Sequence, residues 1–381
     1  MLVIYKNEPL MRLITRSRYA NPLSLGVAFF VFVSLPLAVW AVRSQPEPKN
    51  GGEFITFLEN ISWSVSLIYL FPFVVALTLK YYQSIPTLFD YLFTQLQNRK
   101  VASEEAFWKL LDEKFNAKWP PIIILLVTVA LNISYFHQTL NNEAMRWLSS
   151  GSLLQTPFIL LQTPLGITLG FSPVGLCAQF IQIVLIYWML MVVWKGFVFA
   201  WALHRFFKMQ HQQLHIDPLH PDGCCGLKPI GNVTSTLNLI LFLVGIYLSL
   251  RVIDKVIIQD FDVLEDIGSM MLGGYVILAP LLFFLPLSAA HTKMLEVKQQ
   301  FILPVSKKCE QLFSELAAIK MNSKGHETIS SLEQMENLRH EMERDIPVWP
   351  FDFKSIQAFF GTIVVPLLPV LLPFLFQLLS G

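Results

Sequence analysis

Charged residues are scarce in this chain of 381 residues, and their scarcity decides its class. Only 14% of the residues are Asp, Glu, Lys or Arg, whereas a soluble domain carries about a quarter. Hydrophobic residues make up 54% of the chain, and several charge-free runs approach the roughly 20 residues that a membrane helix needs. The composition therefore excludes an ordinary soluble domain and predicts a polytopic protein embedded in a lipid bilayer.

Strong net charge and a disulfide framework are also missing. The formal net charge is +1, so nucleic acid is not an expected partner. None of the cysteines lies in a loop that we expect outside the cell, so no disulfides are expected; they are Cys177, Cys224, Cys225 and Cys309. Residues 1–21 lack a cleavage site after an apolar core, which predicts a short cytoplasmic N-terminus.

Seven apolar runs predict an all-α fold, a polytopic transmembrane helical bundle. A helix rises 1.5 Å per residue, so about 20 residues cross about 30 Å of hydrocarbon. The predicted spans are Pro22–Val42, Ile61–Leu79, Pro120–Phe136, Leu176–Leu203, Val233–Leu250, Met270–Ala290 and Ala358–Leu379.

Lys and Arg gather in alternate loops, which predicts that the N-terminus is cytoplasmic. The chain then divides into six parts. They are a cytoplasmic N-terminus (1–21), spans one to three with amphipathic cytoplasmic helices at 84–118 (22–136), an extracytoplasmic or re-entrant segment (137–175), spans four to six with a cytoplasmic loop at 204–232 (176–290), a cytoplasmic antiparallel helical hairpin (291–352) and the last span (353–381).

The charge-free segment Ser152–Phe171 is not expected to cross the membrane. It contains a direct repeat, Leu153-Leu-Gln-Thr-Pro157 and Leu160-Leu-Gln-Thr-Pro164. A span here would move every later Lys-rich loop to the outside, against the charge bias. We expect either an interfacial helix on the outer face or a re-entrant segment covered by protein or water.

Two apolar stripes predict the hairpin. The first has nearly heptad spacing and comprises Met294, Val297, Phe301, Val305, Leu312, Leu316 and Ile319. The second comprises Leu332, Met335, Leu338 and Met342. Pro304 predicts a kink in the first helix. The stripes either pair with each other or bind elsewhere, to further copies in a homo-oligomer or to a cytoplasmic protein partner.

Lys195 is the only Lys, Arg, Asp or Glu inside a predicted span. A charge at mid-span costs about 2.5–3.5 kcal/mol, which marks Lys195 as a functional candidate. It either snorkels to the inner interface or lines a cavity or anion path. No carboxylate in any span can pair with it, which argues against a proton- or sodium-coupled transporter.

The last span contains three prolines, Pro366, Pro369 and Pro373. Each proline frees a backbone carbonyl that neighbouring groups or water must satisfy. We therefore expect this span to face the bundle interior, and its prolines join Lys195 as pore or cavity candidates.

The densest cluster of reactive side chains is the loop His215-Ile-Asp-Pro-Leu-His-Pro-Asp-Gly-Cys-Cys-Gly-Leu227. Imidazole and carboxylate groups can bind a metal ion, and the candidate ligands are His215, Asp217, His220 and Asp222. Their spacing is not that of a zinc finger. The alternative is a structural turn, in which Asp222 caps the backbone while Gly223 and Gly226 adopt positive φ. No phosphate-binding loop is present, and no organic cofactor is expected.

His220–Leu227, together with Pro347-Val-Trp-Pro-Phe-Asp352, resembles a family of bacterial polytopic membrane proteins. That family carries a His-Pro-Asp-x-x-Gly-Gly-Leu-like loop, and Cys225 stands where the resemblance places a Gly. The resemblance implies a bacterial inner-membrane protein and no particular activity.

Three functions fit these features. The first is an oligomeric channel or pore-type membrane effector. The second is a membrane-anchored scaffold or sensor that recruits a cytoplasmic partner through its hairpin. The third is a membrane enzyme with a metal at the His/Asp loop, and it is the least expected because no catalytic arrangement of side chains stands out.

Overall fold

The structure is a computed structural model that describes most of the chain. It covers residues 8, 21–43, 60–95, 101–140, 159–162, 168–171, 173–209, 217, 220–258, 267–318, 323–351, 356–357 and 359–368. These residues are overwhelmingly helical, so the predicted all-α bundle is confirmed. The helices are α1 (Pro22–Arg43), α2 (Ile61–Thr94), α3 (Val101–Phe115), α4 (Trp119–Leu140), α5 (Pro173–Met209), α6 (Lys228–Ile258), α7 (Ile267–Ala318), α8 (Ser323–Asp345) and α9 (Phe359–Leu368).

Six segments of the described chain are long and apolar enough to cross a membrane. They are Pro22–Arg43, Ile61–Thr94, Ser103–Ile133, Gly175–Met209, Lys228–Ile253 and Met270–Leu316. The protein is therefore a multi-pass integral membrane protein in contact with lipid. The seventh predicted span is described only over α9, and residues 369–381 lie outside the described residues. The sidedness of the loops stays a prediction.

The second span and the helix that follows it are one continuous helix. The sequence predicts a span ending at Leu79 and a separate helix from residue 84, but α2 runs on to Thr94 through Pro86. Its buried face is continuous across the predicted break, through Tyr81, Tyr82, Ile85, Leu88 and Phe89. Burial of so much apolar surface outweighs the single hydrogen bond that a proline removes.

The sixth span continues in the same way into the hairpin. Helix α7 has 52 residues and contains Pro280, Pro286 and Pro304 without a break. Helix α8 returns along it, and the Lys298 ammonium donates to the carbonyl oxygens of Glu343 and Ile346 at the end of α8. A cation at a helix C-terminus satisfies its last carbonyls and its dipole, so this contact closes the hairpin at its base.

The two stripes of the hairpin pair with each other, as one alternative predicts. The inward row of α8 has steps of three and four residues and runs through Leu332, Met335, Arg339, Met342 and Ile346. Leu338 lies one position off this row and is exposed. On α7, Met294, Val297 and Leu312 are buried, whereas Phe301 is exposed. Both stripes therefore leave apolar side chains outside the pair.

The outer segment contains a short β-hairpin. Strands β1 (Ile159–Gln162) and β2 (Thr168–Phe171) pair antiparallel, with Ile159 opposite Phe171 and Gln162 opposite Thr168. The predicted interfacial helix is wrong for these residues. Pro164 and Gly166 oppose a helix here, and the aliphatic residues beside them suit strands. Whether the segment re-enters the membrane stays a prediction.

Large aromatic side chains fill the centre of the bundle. Phe71 of α2 stacks on Trp188 of α5 with ring centroids 5.9 Å apart, and Phe283 of α7 stacks on Phe359 of α9 at 4.1 Å. Such packing approaches the density of an organic crystal. The described residues therefore form a closely packed interior around the buried charged groups.

Candidate functional site

Lys195 lies on α5 and is buried, with 1% of its surface exposed. Its ammonium is paired with the carboxylate of Glu8, which is equally buried. The Lys195 Nζ also lies 4.1 Å from the centroid of the Tyr82 ring on α2, the distance of a cation–π contact. The side chain does not snorkel, so that expectation is wrong, and Lys195 belongs to a buried charge site.

Glu8 is the functional candidate that sequence reasoning missed. The search for a partner of Lys195 covered the predicted spans, whereas Glu8 precedes the first span and lies 187 positions from Lys195. One signal was present, because Glu8 is the only acidic residue among residues 1–21. Burying either charge alone would cost several kcal/mol of desolvation free energy, so a lone acid in a basic segment and a lone base in an apolar helix are expected to pair.

Asp222 organises the loop between α5 and α6. Its Oδ1 accepts hydrogen bonds from the backbone N–H groups of Cys224, at 2.8 Å, and Gly226, at 3.0 Å. Its Oδ2 accepts from the N–H of Lys228 at 3.2 Å, and Lys228 is the first residue of α6. The carboxylate therefore ties the turn to the start of the helix, where N–H groups have no partner within the helix.

The surroundings of Asp222 favour its ionised form. Burial alone would raise its pKa, but the N–H donors of Gly226, Cys224 and Lys228 and the His220 imidazole hold the pKa of Asp222 below its ordinary value. The His220 Nδ1 lies 3.0 Å from the Asp222 Oδ1. The carboxylate is thus an acceptor for several donors at once, an arrangement that stabilises its charge.

The structural-turn interpretation of this loop is confirmed. Gly223 and Gly226 have φ of 66° and 82°, as the turn requires, and both oxygens of Asp222 bind backbone. Among the residues that the structure describes, no three His, Cys, Asp or Glu side chains lie close enough to hold a metal ion. His215 lies outside the described residues, so a metal there stays a prediction.

Cys225 has a φ of 57°, in the left-handed region that favours glycine. A glycine would adopt this conformation without steric cost. The side chain is buried, and burial raises the pKa of the Cys225 thiol to about 11. A thiol with that pKa stays protonated at neutral pH, whereas a metal ligand is a thiolate.

The loop packs against the segment that follows α8. We call residues 220–227 together with 346–351 the clasp. The Cys225 Sγ lies 4.0 Å from the Pro347 carbonyl oxygen, 122 positions away. A side chain at Gly231 would overlap the Pro350 carbonyl oxygen, so only glycine lets these backbones approach.

Two further helices fasten the clasp. The Tyr91 hydroxyl of α2 donates to the Gly226 carbonyl at 3.2 Å. On α7, the His291 Nδ1 lies 2.7 Å from the Val348 carbonyl oxygen, and its ring stacks on Trp349 at 4.0 Å. The clasp therefore joins α2, α6, α7 and the base of the hairpin at one end of the bundle.

Neighbouring side chains bind the backbone around Pro366, while its place at a pore or cavity stays a prediction. A proline cannot bond to the carbonyl four residues earlier, and the freed Thr362 carbonyl accepts instead from the Tyr275 hydroxyl at 2.9 Å. Ser249 donates to the Pro366 carbonyl. A Cβ at Gly245 would lie 2.7 Å from the Tyr275 ring and 2.9 Å from the Pro366 ring. The described part of the last span thus faces the bundle, and Pro369 and Pro373 lie outside the described residues.

A second buried cation, which sequence reasoning placed in an outer loop, lies within α6. The Arg251 guanidinium is 4.7 Å from the Trp63 ring and 5.1 Å from the Tyr247 ring. Beside it, Gln182 and Ser66 line a cavity of about 10 Å³, room for about one water molecule. This polar spot lies at the opposite end of the bundle from the clasp.

Comparison with known proteins adds no information on function. The sequence matches no family model, and the searches of curated proteins and of solved structures found no match. The function is therefore inferred from the residues and their contacts.

Proposed function

We propose that the protein is a membrane-anchored scaffold or sensor that recruits a cytoplasmic protein partner through its hairpin, formed by α7 beyond His291 and by α8. One contrast carries the proposal. The described interior of the bundle is filled by aromatic side chains and a neutralised ion pair, whereas the hairpin leaves apolar side chains uncovered.

The uncovered side chains lie too far along α7 to be buried in lipid. Phe301 is 46% exposed and Phe313 is 53% exposed. Counted from Met270 at 1.5 Å per residue, they lie about 46 Å and 65 Å along the helix, beyond about 30 Å of hydrocarbon. Lys307 and Lys308 lie between them, which also favours water. Apolar groups exposed to water in this way are typical of protein–protein contacts.

The clasp supplies the connection that a sensor needs. It fixes the hairpin base to α2 and α6 through Tyr91 and Gly231, and α9 follows it directly. A partner that tilts the hairpin therefore acts on the spans through short, buried contacts.

The proposal is tested by removing the exposed apolar groups alone. The variant Phe301→Ser with Phe313→Ser keeps the buried row, and the control Gln300→Ser with Gln311→Ser changes exposed polar neighbours. Tagged full-length proteins are purified from their own membranes after cross-linking. We expect the Phe variant to lose a co-purifying protein that the wild type and the control retain. Identical co-purifying proteins in all three would contradict the proposal.

The proline-broken last helix favours a second candidate, a channel assembled from several copies. The described interior of one protomer is closed, so a path would have to form between copies. Helices α1 and α4 offer faces for assembly, because only 22% and 17% of their apolar windows are buried. Planar-bilayer recording of purified protein, with the oligomer mass measured in parallel, tests this candidate. A monomer without conductance would exclude it.

A further inference from the structure

The ion pair of Glu8 and Lys195 is unusual because its two members come from different parts of the architecture. The geometry points to a carboxylate-binding site centred on Lys195, which the chain's own Glu8 occupies in this structure. This inference does not depend on the proposed function.

The walls of the site belong to the spans. Lys195 on α5 and Tyr82 on α2 are both buried, with the ammonium over the ring. The same two helices pack beside the site through Tyr81 and Phe199, whose ring centroids are 6.2 Å apart. The cationic centre and its aromatic wall therefore both belong to the spans.

The ligand is held by only one of its oxygens among the described residues. Glu8 Oε1 binds the ammonium, whereas Glu8 Oε2 is buried and has no hydrogen-bond partner in the described part of the chain. Removing an ionised carboxylate from water costs several kcal/mol, and the ion pair offsets this only when further hydrogen bonds are made. Among the described residues, Glu8 is thus held by the Lys195 ammonium and the neighbouring Tyr82 hydroxyl alone, and a better-fitting carboxylate can replace it.

The position of α1 explains how Glu8 reaches the site. Gly26 of α1 packs against Ala76 of α2, and Phe29 packs against Phe71, so the two helices run antiparallel. The start of α1 therefore lies at the same end of α2 as Tyr82. A ligand tethered so close has an effective concentration in the millimolar range, so removing Glu8 makes the site accessible to a weakly binding carboxylate in solution.

Chemical rescue tests the site with the full-length protein in detergent. In Glu8→Ala the site is empty, and sodium formate or sodium acetate is the probe. We expect Glu8→Ala to melt below the wild type, and either carboxylate to raise its Tm saturably by a few degrees, as mass action requires. Sodium chloride at equal ionic strength controls for screening. The double variant Glu8→Ala with Lys195→Met controls for the site, and the carboxylates should leave its Tm unchanged.

The outcomes separate cleanly. A rise in Tm that formate and chloride cause equally, or that the Lys195→Met background retains, overturns the proposal, as does no rise at all. If Glu8→Ala aggregates on purification, it is prepared again with formate throughout. Recovery with formate but not with chloride supports the site, and aggregation in both salts overturns it.

Discussion

At the scale of single residues, Cys225 adopts a backbone conformation that would suit glycine better. A side chain in the left-handed region costs roughly 1–2 kcal/mol, and Cys225, with φ of 57°, also packs in the core. The two effects oppose each other when the side chain is removed.

Substitution at Cys225 separates them. We expect Cys225→Gly to melt close to the wild type, since relief of the backbone cost offsets the lost packing. Cys225→Val should lose about 2–3 kcal/mol, because a β-branched residue tolerates this conformation worst. Thermal unfolding in detergent measures both. A Gly variant less stable than the Val variant would show that packing alone matters here.

Asp222 gives a prediction with a defined pH dependence. Its pKa is lower in the folded protein than its ordinary value of 3.8. The stability that it contributes is therefore fully present above about pH 4 and is lost as the pH falls through the folded pKa. We expect Asp222→Asn to lower the Tm at pH 7 by the equivalent of about 1–2 kcal/mol, and the difference from the wild type to shrink towards pH 3.

The control for Asp222→Asn is Glu336→Gln on the exposed face of α8, which should leave the Tm unchanged. A difference that does not shrink as the pH falls below about 4 would contradict the role of the charge. Metal analysis of the same wild-type preparation separates the two interpretations of the loop. A stoichiometry near zero would exclude the metal at His215, Asp217, His220 and Asp222.

At the scale of helices, the contact between Tyr275 and Thr362 exists because of Pro366. Tyr275→Phe leaves a buried carbonyl without a donor, which costs about 1–3 kcal/mol. We expect this loss in Tm measurements, whereas Tyr69→Phe on the exposed face of α2 should have no effect. In a Pro366→Ala background the helix supplies its own N–H, so the cost of Tyr275→Phe should largely vanish. If Tyr275→Phe costs as much stability in the Pro366→Ala background as in the wild type, the hydrogen bond does not depend on the proline.

The sequence predicted the existence of the helices better than their ends. Apolar runs identify α1, α5 and α6, because a membrane helix must satisfy its own backbone. The continuation of α2 beyond its predicted end was not visible, since Pro86 normally marks an end and only the burial of its neighbours overrides it. The strands at 159–171 were missed because aliphatic residues suit helix and strand alike.

The sequence predicted the local contacts of the candidate sites and missed the long-range ones. The capping role of Asp222 follows from local geometry, since a carboxylate two residues before an N–H can bond to it. The meeting of Glu8 with Lys195, and of Gly231 with Pro350, depends on how distant elements dock. Local patterns carry no information on such contacts.

At the scale of the whole molecule, the charge bias predicts that the hairpin and the clasp lie in the cytoplasm. A cysteine at Gly325→Cys, in a Cys177→Ser background, tests this in intact cells. A membrane-impermeant maleimide should label it only after permeabilisation, whereas Asn142→Cys, in a loop predicted outside, should react at once. Labelling of Gly325→Cys from outside would reverse the orientation and move the partner of the hairpin to the other side.

The clasp also sets an order of events during synthesis. Loop 220–227 leaves the ribosome long before residues 346–351, against which its buried face packs. Chains fold as they emerge, so this end of the bundle stays incomplete until residues 346–351 have been synthesised. Until then the nascent protein exposes Gly231 and the start of α6. Residues 346–351 complete this end of the fold when they pack against them.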